Sequence, residues 1–220
     1  MSKTPLVTSN QSDAIRDMAN AKGVGRTNWQ RAHDDGRFAQ FLDGLKESTE
    51  TTKTGVPKHL YEFRIKKDGA DASTLIGRTR PTFFVSEYAE AMTENKKEFI
   101  VGPKEDAIIR VFTCESLGVT GWSETDFFGP KGFAHIKKFG LDPCVSDDAF
   151  PIRAEHADQK LDEWILIAHK PISVHGYSCV FRVGRDRVSG RSVYGYSLRS
   201  VCRLGSGDLV ALRVAGRSQS

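Results

Sequence analysis

Residues 177–198 read YSCVFRVGRDRVSGRSVYGYSL. Two runs rich in β-branched and aromatic residues, Tyr177–Val183 and Val193–Leu198, flank the turn signal Val188-Ser189-Gly190. That order predicts a β-hairpin. Side chains alternate along a strand, so Tyr194, Tyr196 and Leu198 share one face and Val193, Gly195 and Ser197 the other. Two more β-prone runs, Glu163–Ala168 and Leu209–Val214, lie on either side. The punctuation between runs is His175-Gly176 and Gly205-Ser206-Gly207-Asp208. Together these predict a β-rich, basic module over 144–220, an antiparallel sheet or a small barrel-like unit.

Residues 56–143 read as a small mixed α/β part. Leu60-Tyr61-Glu62-Phe63-Arg64-Ile65 alternates as a strand does, and Lys67-Asp68-Gly69 marks a turn. Thr82–Val85 is a strand or an entry segment. Ser86 is placed to cap a helix from Glu87 to Glu94, with Tyr88, Ala91 and Met92 on one side. Phe99–Val101 and Ile108–Phe112 read as short strands. Gly129-Pro130 and Gly140 bracket a helix over Lys131–Phe139, with Phe133, Ile136 and Phe139 spaced by three.

Residues 1–55 read as a helical segment ending in a Thr-rich linker, STETTKTGVPK over 48–58. Ser12 and Thr27 are candidate helix caps. Phe38, Phe41, Leu42 and Leu45 fall at i, i+3, i+4 and i+7, one stripe of a helix over 37–46. Such a stripe packs on the body of the protein or docks a partner. The chain as a whole is expected to be α+β, with N-terminal helices, the mixed middle and the C-terminal antiparallel module.

Composition narrows the class. The chain of 220 residues is 39% hydrophobic and 27% charged, ordinary values for a globular protein. No run approaches the ~18 apolar residues of a membrane span. MSKTPLVTSN lacks the apolar centre of a secretory signal, so a cytoplasmic setting is expected. The four cysteines, Cys114, Cys144, Cys179 and Cys202, are scattered and read as unpaired thiols.

Charge is unevenly placed. Between Gly176 and Ser220 stand eight arginines, no lysine and two acids, a net of +6 in a chain whose total is +4. The rest is therefore slightly acidic. Arg182, Arg185, Arg187, Arg191 and Arg199 interleave with Tyr194 and Tyr196. Guanidinium groups neutralise phosphates and aromatic faces stack bases. These seven residues form the candidate surface for nucleic acid or a protein partner. The plainer reading is a half-buried aromatic face beside soluble arginines.

Other constellations carry residue types suited to metal binding or catalysis. His169, His175 and Cys179 are ligand types for zinc, but their spacing matches no common motif. Cys144, Arg153, His156 and Glu163 are the one set from which an active site could be assembled, provided they converge. Arg153, Gln159 and Glu163 could equally form a structural ion-pair group. Gly23-Val24-Gly25 lacks the Lys-Ser/Thr ending of a phosphate loop. No cofactor, metal or small-molecule ligand is expected from these patterns, and no catalytic residue is assigned.

From Ala107 to Val183 the chain resembles a group of uncharacterised bacterial proteins. The elements that carry the resemblance are Val111-Phe112-Thr113, Leu117-Gly118, Gly140-Leu141, Cys144, Arg153, Gln159, Glu163-Trp164, Ile167-Ala168, Pro171-Ile172 and Val180-Phe181. The pattern often has proline directly after the cysteine, whereas here Pro143 precedes Cys144 and Val145 follows it. The resemblance implies a bacterial, cytosolic protein and supplies no activity. Read together, these features favour a non-enzymatic binding or accessory protein. The alternatives are an enzyme built around the Cys144 set, or an assembly subunit docking through the 37–46 helix.

Overall fold

The structure, a computed structural model, describes residues 57–216. The helices expected from Ser12, from Thr27 and over 37–46 lie outside the described residues. Element order is β1 (Tyr61–Lys67), α1 (Ala72–Thr79), β2 (Phe84–Val85), α2 (Glu87–Glu94), β3 (Glu105–Thr113), α3 (Glu124–Phe127), α4 (Pro130–Lys137) and β4 (Leu141–Asp142). A 3₁₀ turn at Ser146–Asp148 leads into α5 (Ala149–Glu155). Then come β5 (Trp164–Ile167), β6 (Ile172–Val174), β7 (Tyr177–Asp186), β8 (Gly190–Ser197) and β9 (Leu209–Val214). The class is α+β.

All nine strands join one sheet in the order β1-β3-β9-β5-β7-β8-β2, with β4 on β9 and β6 on β7. The hairpin β7–β8 forms as the sequence predicts, from Cys179 opposite Ser197 to Asp186 opposite Gly190. The expectation of a purely antiparallel C-terminal module needs correction. β9 runs parallel to β5 and antiparallel to β3, and β2 runs parallel to β8. β9 therefore stitches strands from the middle of the chain to the C-terminal ones.

Alternation along the strands buries both faces. One carries Ile65, Ile109, Val111, Ile165, Phe181 and Val193, with Ala89, Met92, Phe150 and Ile152 from α2 and α5 in the same cluster. The other carries Phe112, Val180, Val210 and Leu212, with Phe127, Phe128 and Ile136 from α3 and α4. α5 touches β1 at one end of the strand order and β7 and β8 near the other, so the sheet curls around it.

Local chemistry sets the helix starts. Ser86 Oγ accepts the Ala89 N–H at 3.2 Å, with Glu87 and Glu90 in the first turn of α2. α1, which the sequence reading passed over, is capped by Asp71, whose carboxylate accepts the Thr74 N–H at 2.9 Å. The strand expected at Phe99–Val101 is absent. Its neighbouring backbone donors go to side chains: Ile100 N–H to Ser146 Oγ at 3.4 Å and Gly102 N–H to Asp147 Oδ2 at 3.1 Å. Among the described residues no helix is long and apolar enough to cross a membrane.

Candidate functional site

The register of β7 and β8 decides which side chains meet. Arg182 lies opposite Tyr194, Val180 opposite Tyr196 and Gly184 opposite Ser192. β5 adds Trp164 opposite Gly184. Period two then puts Trp164, Arg182, Tyr194 and Tyr196 on one sheet face. The guanidinium carbon of Arg182 sits 4.2 Å from the Trp164 ring centre, 5.3 Å from Tyr196 and 5.6 Å from Tyr194. Trp164 meets Tyr194 edge-on at 5.4 Å, and Phe84 of β2 packs on Tyr194 at 5.5 Å. A Cβ on Gly184 would overlap the Trp164 ring, so this stack depends on glycine at that position.

Burial holds the Arg182 guanidinium below its ordinary pKa, against the pull of Tyr196, Tyr194 and Asp186. Its Nε is buried and has no hydrogen-bond partner among the described residues. Arg182 is therefore the centre of an aromatic cage. Tyr196 is anchored too, because its hydroxyl donates to Glu124 Oε1 at 2.5 Å. Burial and that carboxylate push the phenol pKa up. The other Glu124 oxygen accepts the Arg199 N–H at 2.8 Å.

Further along the hairpin Arg185 and Arg191 face each other across the strands, and Arg187 sits in the turn. Asp186 shapes that turn by accepting the N–H groups of Val188 at 2.8 Å and Ser189 at 2.6 Å. Like charges directly opposite on a sheet repel. Arg78, Arg80, Arg110 and Arg213 each hold a carboxylate, whereas among the described residues Arg185, Arg187, Arg191 and Arg199 hold none. Close by lies Arg153 of α5, 0% exposed. Its guanidinium donates to Gly184 O at 2.9 Å, to His156 O and to Gln159 Oε1. Burial, then the nearby Arg191 and Arg185, bring its pKa down from 12.5 to about 10. Three guanidinium groups thus share one corner of the sheet.

Of the four residues that would assemble an active site, three gather and one does not. His156 Nε2 lies 3.2 Å from Glu163 Oε1, and the Tyr61 hydroxyl donates to Glu163 Oε2 at 2.9 Å. The imidazole packs between Tyr61 and Phe63, each at 4.8 Å, and burial lowers its pKa. Arg153 joins this group through the His156 carbonyl and through Gln159, whose Nε2 donates to Glu163 O at 3.1 Å. Cys144 stands elsewhere, its thiol directed at Ala211 O at 3.5 Å. Burial raises that thiol well above its ordinary pKa, the reverse of an activated nucleophile. The group borders a cleft of about 680 Å³ whose lining includes Tyr61, Glu163, Trp164 and Asp208.

The histidines and cysteine weighed as zinc ligands have other partners. His169 accepts the Phe181 N–H on Nε2 at 2.9 Å and donates from Nδ1 to Lys170 O at 2.8 Å. Both nitrogens of the buried ring tie β7 to the loop after β5. His175 has φ 50° and Gly176 φ 82°, the left-handed pair of a two-residue hairpin turn between β6 and β7. Cys179 points its thiol at Tyr177 O.

The seven candidate residues thus fall into three places. Arg182, Tyr194 and Tyr196 form the stack, Arg185, Arg187 and Arg191 line the hairpin end, and Arg199 lies beyond the other end of β8. Phe84 and Trp164 belong to the stack and were not singled out from sequence. The chain matches no family model, no curated protein and no solved structure. The site must therefore be read from its own geometry. Trp164 had one usable signal, a large ring at the start of a run whose partner strand carries a glycine.

Proposed function

We propose that the protein binds single-stranded nucleic acid around the β8–β2 edge beside the β7–β8 turn, phosphates on the face that carries Arg185 and Arg191 and a base on the opposite face at Tyr194 and Phe84. The observation that carries this reading is the crowding of Arg185 and Arg191 beside buried Arg153, with no carboxylate on the two outer arginines among the described residues. A phosphate placed there relieves their mutual repulsion and accepts charge-assisted hydrogen bonds. Phe84, 44% exposed, and Tyr194 behind it offer a ring surface to a base. Stacking of that kind contributes about 1–3 kcal/mol per base. Arg182 and Trp164 support the rings from beneath. A bacterial, cytoplasmic setting belongs to the same proposal, and four unpaired cysteines accord with a reducing compartment.

Fluorescence anisotropy with short oligouridine, oligothymidine and duplex probes tests the reading. Three arginines on a single strand set a slope of log affinity against log salt near about −2. The double variant Arg185→Glu/Arg191→Glu should weaken oligonucleotide binding by about 30-fold or more, because it replaces attraction by repulsion. Its far-ultraviolet circular dichroism should match that of the parent, since Arg185 is exposed, Arg191 half-buried, and neither holds a carboxylate among the described residues. Binding that ignores salt, or a double variant as tight as the parent, rejects the proposal.

A further inference from the structure

A cavity of about 840 Å³ opens between α1, α5 and the start of the β1–β3 ladder. Its walls are apolar where Leu75, Phe83, Phe150 and Pro151 line it. At its base lie Lys67 and Asp147, an ion pair at 2.5 Å whose side chains are 3% and 4% exposed. The Lys67 ammonium has three N–H groups. Asp147 and Asp148 take two, at 2.5 and 3.1 Å, and among the described residues the third has no partner. Asp147 Oδ2 accepts the Gly102 N–H at 3.1 Å and keeps lone pairs to spare. A Cβ at Gly102 would overlap the Lys67 ammonium, so any side chain there would push that end of the lysine aside.

The base of the cavity thus offers a donor and an acceptor side by side, within apolar walls. That combination suits the edge of a planar ring carrying both an acceptor and an N–H, as a nucleobase does. The rim carries Lys66, Lys104 and Arg78. Arg78 is held by Asp68, and Lys66, opposite Asp106 in the β1–β3 register, makes no ion pair among the described residues. Lys104 has no carboxylate within reach among the described residues. Two cations thus stand unpaired at the mouth among the described residues, and Lys104, exposed at the start of the β3 ladder, is placed where the phosphate of such a ligand would emerge.

We infer that this cavity is a binding site for a nucleoside monophosphate, the base at Lys67 and Asp147 and the phosphate at Lys104. Burial raises the Asp147 carboxyl, as expected of an acceptor kept from water. The site shares no residue with the hairpin surface of the preceding proposal.

Isothermal titration of the full chain with AMP, GMP, CMP and UMP, and with the four nucleosides, tests it. At least one monophosphate should bind at a single site, with a dissociation constant on the order of 10–100 µM. The matching nucleoside should bind about tenfold more weakly for want of the Lys104 contact. Ala154→Trp fills the mouth from the exposed end of α5 without touching the ion pair, and should weaken binding by about tenfold or more. Lys104→Glu should weaken the monophosphate but leave the nucleoside unchanged. Arg185→Glu/Arg191→Glu should leave both unchanged, which separates this site from the hairpin surface. Absence of saturable binding overturns the inference. So does a monophosphate that binds Ala154→Trp and Lys104→Glu as it binds the parent, or one that is lost with the hairpin arginines.

Discussion

Asp148→Ala should lower the free energy of unfolding by on the order of 3–5 kcal/mol. The carboxylate is 0% exposed and accepts four hydrogen bonds. Arg213 supplies two, from Nε at 2.6 Å and Nη2 at 2.7 Å. Lys67 Nζ at 3.1 Å and the Val145 N–H at 2.8 Å supply the others. Alanine leaves Lys67 with Asp147 alone and Arg213 with Glu105 alone, and strips Arg213 of its two-point carboxylate contact. The pair costs much to bury, but removing one side costs more than the pair ever gained. Asp148→Asn keeps one oxygen to accept the Val145 N–H but removes the charge and turns an NH2 donor toward the Lys67 and Arg213 donors, so it should also destabilise, by no more than alanine does. Urea unfolding at neutral pH measures both. An asparagine variant as stable as the parent would show that charge is not what matters at this position.

The stability of the parent should also fall in acid by about 3 kcal/mol more than that of His169→Asn. Burial holds the His169 pKa at about 4 against an ordinary 6.5. In the unfolded chain the ring takes a proton below about pH 6.5, whereas in the folded protein it stays neutral down to about 4. The unfolded state binds more protons within that window, so stability rises with pH across it. The contribution is complete above pH 6.5 and is lost as pH falls to about 4. Asparagine cannot titrate there, and subtracting the two profiles removes the carboxylates common to both. A flat difference between pH 4 and 6.5 would mean that the ring is protonated inside the fold.

Local chemistry was legible in the sequence and long-range chemistry was not. Ser86 and the Tyr88, Ala91, Met92 spacing placed α2 at its observed ends, because capping and helical period are properties of neighbouring residues. The turns at His175-Gly176 and Val188-Ser189-Gly190 were readable for the same reason. α1 carried a comparable signal in Asp71 with Ala72, Leu75, Ile76 and Thr79, but Gly77 and three hydroxyl residues obscured the stripe. Phe99–Val101 looked like a strand until Ser146 and Asp147, more than forty residues away, claimed the adjoining backbone donors. The arginine and tyrosine face was visible as a pattern. The cage around Arg182 was not, since it needs Trp164 from β5, Phe84 from β2 and the missing side chain of Gly184. Likewise the distance of Cys144 from His156 follows from where α5 crosses the sheet, which no motif encodes.

The position of β9 also orders events in time. Without β9 the sheet falls into two groups, β1 with β3 and β5 with β6, β7 and β8, each with an open inner edge. Of the described strands β9 comes last in the chain, and it fills the gap between β3 and β5. A chain in which Leu209–Val214 has not yet docked would therefore present two half-sheets, each with an open hydrogen-bonding edge. Such edges recruit strands from other chains. Slow translation before β9 would prolong that exposure, and a chaperone that shields strand edges would act in the interval that its arrival ends.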